Sequence, residues 1–156
     1  MITSILIRNA IDAYASSLAL DDLVYPLSKF EFPPIMEGSK IGKQQNPGRW
    51  PTRRYVREMD ITIEGRILAT DTSDYWVKRK ALMVKAVPDP TNTAYDPIRI
   101  DLVIDGDGNT YTAQCSLESL GGALDVALAS PQMSEFQLQY SCSAGYWTGP
   151  GGLVIL

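Results

Sequence analysis

Polar and apolar positions alternate from Met59 to Ile67, where Met59, Ile61, Ile63 and Ile67 share one parity and Glu58, Asp60, Thr62, Glu64 and Arg66 the other. A period of two predicts a half-buried strand with one wet and one dry face. Thr70-Asp71-Thr72-Ser73 then offers side-chain oxygens to the free amides of a helix start, and Asp74 adds negative charge in its first turn. A helix over about 72–87 is predicted, with Tyr75, Trp76, Leu82, Met83, Ala86 and Val87 on an apolar face that Val77 and Val84 widen. Asp74, Lys78 and Lys85 form the polar stripe opposite. Arg79 falls inside the apolar arc, where an ion pair with a strand carboxylate is expected. Pro88 and Pro90 stop the helix.

Around this unit the pattern is that of strands. Ile2–Arg8 reads as an apolar strand, and 10–20 stays open between strand and helix. Leu23-Val24-Tyr25 is expected as a short strand. Ile98, Ile100, Leu102 and Ile104 alternate with polar neighbours, Asp105-Gly106-Asp107-Gly108-Asn109 turns the chain, and Tyr111, Ala113, Cys115 and Leu117 alternate on the way back, so 97–119 is a hairpin. A short strand is expected at Leu124–Leu128, and Phe136, Leu138, Tyr140 and Cys142 mark a last one. Gly145–Gly152 is glycine-rich but opens no helix and has no lysine, so it reads as a terminal loop and not as a phosphate cradle. The fold class is mainly β, an antiparallel sandwich or barrel with one helix on a sheet.

From Pro26 to Pro51 the composition shifts to five prolines, three glycines and several cations, and a long irregular connection is expected at about 26–53. Phe30, Phe32 and Trp50 are too apolar to be left in water, so this stretch is expected to dock on a neighbouring subunit. Phe30, Phe32, Arg49, Trp50, Arg53 and Arg54 are the candidate interaction residues.

At 156 residues, 45% hydrophobic and 21% charged, the chain is expected to be a single globular domain over 1–156. It has no run of about 18 apolar residues of the kind that spans a membrane. The opening lacks the basic start of a signal peptide, and synthesis in the cytoplasm is expected. The net charge of −4 argues against broad nucleic-acid binding. There are no histidines, which removes imidazole-based triads, His-ligated metals and the commonest general base, and no catalytic, cofactor or metal residues are assigned. Asp105-x-Asp107-x-Asn109 opens like a calcium loop, but Thr110 and Ser116 stand where glycine and glutamate would be needed, so a plain hairpin turn is the stronger reading. Cys115 and Cys142 fall on the apolar parity of their strands and are expected to be buried, reduced and near one another.

The run Asp60–Ile67 with Arg79 and Leu82 ahead of Pro88, and the strand Phe136–Cys142 leading into Gly145-Tyr146-Trp147, resemble the N-terminal domain of distal tail proteins from long-tailed, non-contractile bacteriophages. The resemblance spans 53–147. Ile2–Asp12 matches more loosely, with Asn9-Ala10 in place of the more usual Asn-Gly. It implies a virion protein without catalysis, a hexameric ring at the distal end of a phage tail that joins the tail tube to the tip or baseplate. Its partners would be the tail-tube protein and the tail-tip hub proteins, with no membrane and no sequence-specific nucleic acid. The C-terminal carbohydrate-binding-like domain of larger members is not expected in this chain. Tail-tube subunits share the core and are the nearest alternative. A small carbohydrate- or ligand-binding β domain is the rival of another class, and requires Tyr146 and Trp147 exposed beside a polar pocket.

Overall fold

The computed structural model describes residues 2–37, 40–42, 49–51, 55–89, 91, 97–104, 106, 108–121 and 133–154. Its longest strand is the one with the cleanest alternation, Tyr55–Leu68, here β7. Met59, Ile61, Ile63 and Ile67 on it are all buried. In chain order the strands are β1 (Ile2–Arg8), β2 (Ser17–Leu20), β3 (Leu27–Glu31), β4 (Pro34–Glu37), β5 (Lys40–Gly42), β6 (Arg49–Pro51), β7, β8 (Ile98–Ile104), β9 (Thr110–Gly121), β10 (Met133–Cys142), β11 (Trp147–Gly149) and β12 (Gly152–Val154). The one helix among the described residues, α1, spans Thr72–Ala86 between β7 and β8.

Every pairing is antiparallel, and the main sheet runs β2-β1-β8-β9-β10-β7-β3, with β4 on β7 and the β11–β12 hairpin beside β9. The bend in this path is made by β9. Its first half, Thr110–Cys115, pairs with β8 and its second half, Ser116–Gly121, with β10. Both halves of the sheet therefore feed one core, which takes Ile5 and Ile7 from β1, Ile100 and Leu102 from β8, Leu138 and Tyr140 from β10, and Leu82 from α1.

Asp71 caps α1, its carboxylate accepting from the Asp74 amide at 2.8 Å, while the Asp74 carboxylate reaches back to the Thr70 amide at 2.9 Å. At the other end the amide nitrogen of buried Asn9 donates to the carbonyls of Val84 and Val87, at 3.0 and 2.7 Å, and so satisfies acceptors the helix leaves open. Two phenols also hold the helix, one at its middle and one at its last residue. Tyr25 and Tyr140 donate to the carbonyls of Lys78 and Ala86, and burial pushes both hydroxyls above the ordinary tyrosine pKa.

The helix is rotated from the predicted orientation. Tyr75, Leu82 and Ala86 face the core, but Trp76, Val77 and Val84 are 43, 64 and 49% exposed. Lys78 and Lys85, expected outside, are tucked against the body. Lys78 Nζ donates to the Leu68 carbonyl and to Asp74, and Lys85 Nζ reaches Asp12 at 2.6 Å. Each long stem covers apolar surface while its head finds an acceptor that only the tertiary fold supplies. Arg79 donates to the Tyr75 hydroxyl at 3.1 Å, and no strand carboxylate among the described residues pairs with it.

Other departures have local causes. Leu23–Tyr25 is a turn, because the Asp21 carboxylate accepts from the amides of Leu23 and Val24 and so competes with strand pairing. Residues 10–20 split into a 3-10 turn, Ala10–Asp12, and β2. Gly145–Gly152, expected as a loop, holds β11 and opens β12 in a small hairpin, with Gly145 and Gly152 in the left-handed region. The segment 26–53, expected as irregular, contains β3, β4, β5 and β6. The expected strand at 124–128 lies outside the described residues.

Cys115 and Cys142 are fully buried, as the alternation requires, but they are joined in a disulfide and not reduced. β10 pairs with β9 through Tyr140 to Leu117 and Ser141 to Ser116, so the next step of the ladder sets Cys142 opposite Cys115, with the Cα atoms 4.3 Å apart.

Asp12 ties the 3-10 turn to the helix. Lys85, foremost, and then Ser16 hydrogen-bond its carboxylate and hold its pKa at about 2, against an ordinary 3.8. A carboxyl depressed in the folded state contributes stability above its unfolded pKa and loses it as pH falls through the folded one. The wild type is therefore expected to be more stable than Asp12→Asn at pH 6, with the gap closing between about pH 4 and pH 2. Urea midpoints of the two proteins across that range test this, and a gap that stays constant rules the linkage out.

Candidate interaction site

Phe30 and Phe32 lie in and just after β3, half-buried against the core. Their rings are 5.4 Å apart, and Phe32 meets Trp147 edge to face at 5.4 Å. The apolar demand that pointed these two rings at a neighbouring subunit is met within the chain. Trp147 itself is 1% exposed. An exposed Trp147 beside a pocket, the condition for the ligand-binding alternative, is therefore absent.

Arg49 and Trp50 stand on β6, which pairs only with β5 among the described strands, Trp50 opposite Ile41 and Arg49 opposite Gly42. Arg53 and Arg54 lie outside the described residues. Of the six candidates, Phe30 and Phe32 pack on the body, Arg49 and Trp50 stand on the β5–β6 ribbon, and two lie outside the described residues. β4 pairs with the first part of β7, from Pro34–Met59 to Glu37–Tyr55.

β2 and β3, the two ends of the sheet path, approach one another across a cleft of about 350 Å³. Ile5, Leu20, Leu27 and Phe30 give it apolar walls, and Asp21 and Asp22 lie at its margin. Among these only Phe30 was singled out in the sequence. The others are placed together by strand order, which no local pattern reports. Of the calcium-like turn, Asp105 and Asp107 lie outside the described residues, and Gly106 and Gly108 take positive φ, 95° and 66°, as the hairpin turn needs.

No family model matches the chain, and no curated protein matches it. Among solved structures it is similar to the crystal structure of the SPP1 Dit (gp 19.1) protein, described as a paradigm of the hub adsorption apparatus in phages infecting Gram-positive hosts. The two superpose with a TM-score of 0.59 at 11% sequence identity, over 94% of this chain and 52% of that one. The likeness is one of fold. This chain spans about half the length of the protein it matches.

Proposed function

We propose that this chain is a structural protein of a phage tail tip, a non-enzymatic ring subunit of the distal-tail type that joins the tail tube to the tip or baseplate. The observation that carries the reading is the fold match to SPP1 Dit over 94% of the chain, on a sequence that contains no histidine for the commonest acid-base chemistry. Among the described strands, β2, β3, β4 and β12 each pair on one side only, and backbone groups on such edges call for a partner. A head-to-tail contact between copies closes into a ring when the rotation permits. The partners in this reading are the tail-tube and tip hub proteins, and the location is the virion after synthesis in the host cytoplasm.

Six copies of a 17.2 kDa chain give roughly 103 kDa. Light scattering on the purified protein, followed by particle images, is expected to show that species as a closed ring, alone or on addition of tail-tube protein. A protein that stays monomeric under both conditions rules the ring out.

A further inference from the structure

Arg8 and Arg99 stand side by side on β1 and β8, directly opposite in the ladder and about 5 Å apart at Cα, a placing that disfavours like charges. Arg8 is compensated. Its Nε donates to Asp101 at 2.8 Å and its Nη1 to the Tyr14 carbonyl at 3.2 Å, while the Thr112 hydroxyl donates to the other oxygen of buried Asp101 at 2.7 Å. Arg99 shares none of this. Its cross-strand neighbours are Arg8 and Gln114, no carboxylate among the described residues pairs with it, and its buried Nε finds no acceptor among them. The guanidinium lies over the Tyr14 ring, 4.4 Å from its centroid. That ring is fixed in place: Ala13 and Tyr14 both take left-handed φ, 54° and 61°, and the Tyr14 hydroxyl donates to the Pro97 carbonyl at 2.9 Å.

We propose that the Arg8–Arg99 pair is a binding site for one carboxylate, and that the carboxylate it takes is the Asp60 side chain of a second copy of this chain. The contact rests on the ring reading and deepens it. The chemistry follows from the guanidinium. Stacking engages the face of Arg99 and leaves its N–H edge for an acceptor, and a planar fork matches the two oxygens of a carboxylate. Two cations against Asp101 leave one positive charge in excess, which a single carboxylate balances. A buried donor without an acceptor is costly, and a fork already held by its ring loses little freedom when the acceptor arrives.

The chain itself points to the source. It carries eighteen carboxylates against fourteen cations, so a second copy is an acidic partner. Asp60 is exposed on the outward parity of β7, opposite Ser141, and no cation among the described residues pairs with it or with Glu58, two positions earlier on the same side. The two halves of the sheet turn their inner faces to one core, so the outer face that carries Arg99 and the outer face that carries Asp60 point away from one another. Asp60 therefore does not reach Arg99 within one molecule. Two different, complementary surfaces on opposite sides of one chain are what a head-to-tail contact requires.

The site is tested first without assembly, in dilute full-length protein, by following the 15N-resolved Nε–Hε resonance of Arg99 during titration with sodium acetate at constant ionic strength. A saturable shift is expected, absent from Arg66 in its exposed pair with Glu135, and lost in Arg8→Gln. The absence of a saturable shift in the wild type overturns the site. The source is tested by exchanging charge. Arg99→Glu and Asp60→Arg are each expected to raise the concentration needed for assembly about tenfold or more, and the two together to recover most of the loss. Arg99→Gln, which keeps an uncharged polar stem, replaces Arg99→Glu if circular dichroism shows that the latter is not folded.

Acetate binding with normal assembly of both single variants assigns the site to a free organic acid, overturns the contact between copies and leaves the ring reading intact. Loss of assembly in both single variants without recovery in the double overturns the pairing of these two residues. A wild type that stays monomeric with and without tail-tube protein overturns the ring reading and the contact with it, and the acetate shift still decides the site.

Discussion

Removing the Cys115–Cys142 bridge is expected to lower the unfolding free energy by about 3.5 kcal/mol, the loop-entropy value for a separation of 27 residues. For a chain of this length that corresponds to a fall in Tm of roughly 7 to 14 °C. The location of the bridge argues against a smaller effect. In register, Ile98 stands opposite Cys115 on β8–β9, and Cys142 opposite Met59 on β10–β7. The bridge thus completes one transverse row across β8, β9, β10 and β7, at the point where β9 leaves one half of the sheet for the other. Cys115→Ala with Cys142→Ala removes the link and leaves the small apolar groups that the core needs there. Denaturant unfolding of the oxidised wild type and the double variant tests the magnitude. A thiol titration in denaturant without reductant tests the bridge itself, since two free thiols there would exclude it.

The cysteines also show what the sequence carries and where it stops. Strand alternation places both on the dry side, and the order of strands brings them near. Whether they face each other depends on register, and a slip of one residue would have turned one of them outward. The β10–β9 ladder contains such a shift, between Gln139 and Tyr140, which no local pattern announces. β7, α1 and the β8–β9 hairpin were legible because each repeats its own period over seven residues or more.

The segment 26–53 was not legible, for a different reason. Its strands are three to five residues long and interrupted by proline and glycine, so they generate no period. Pro34 is tolerated because β4 is an edge, where one side needs no amide donor. β3 and β4 exist through pairing with β7, a partner some twenty to forty residues away, and β5 and β6 through pairing with each other. Asn9 is a similar case. It reads as a turn residue, and does cap the 3-10 turn, but its amide also closes a helix that ends 77 residues later at Ala86.

The site divides along the same line. Arg49, Trp50, Arg53 and Arg54 form a cluster visible in the sequence, whereas the cleft combines residues from β1, β2, β3 and the turn after β2. The acidic pair Asp21-Asp22 was the one local sign of it, and a pair of aspartates after a strand is also what any exposed turn contains.

Gly65→Ala is expected to lower stability by about 2 kcal/mol, and Gly65→Val by about 4 kcal/mol. The sign is opposite to the usual one. Replacing glycine with alanine inside a strand ordinarily gains about 0.5 to 1 kcal/mol by restricting the unfolded chain. At Gly65 the backbone is extended and open to any residue, so what decides is space. A Cβ there would sit 2.7 Å from the Pro26 carbonyl oxygen and 2.8 Å from the ring of Phe136. That carbonyl also accepts from the Arg66 amide at 3.0 Å, so it cannot retreat without giving up the bond that holds the start of β3 to β7. Phe136, directly across β10, crosses the gap that glycine leaves and meets Tyr25 edge to face at 6.4 Å. A side chain at 65 thus displaces Phe136, Tyr25 and the entry to β3 together. A glycine in the middle of an otherwise alternating strand is the sequence sign of such a close approach. Gly121→Ala supplies the control, since its nearest neighbour, at 3.2 Å, is the far end of the flexible Gln137 side chain, and a change below about 0.5 kcal/mol is expected there. Urea unfolding of the three variants decides the matter, and a Gly65→Ala protein as stable as the Gly121→Ala protein would show that the Phe136 ring has room to move.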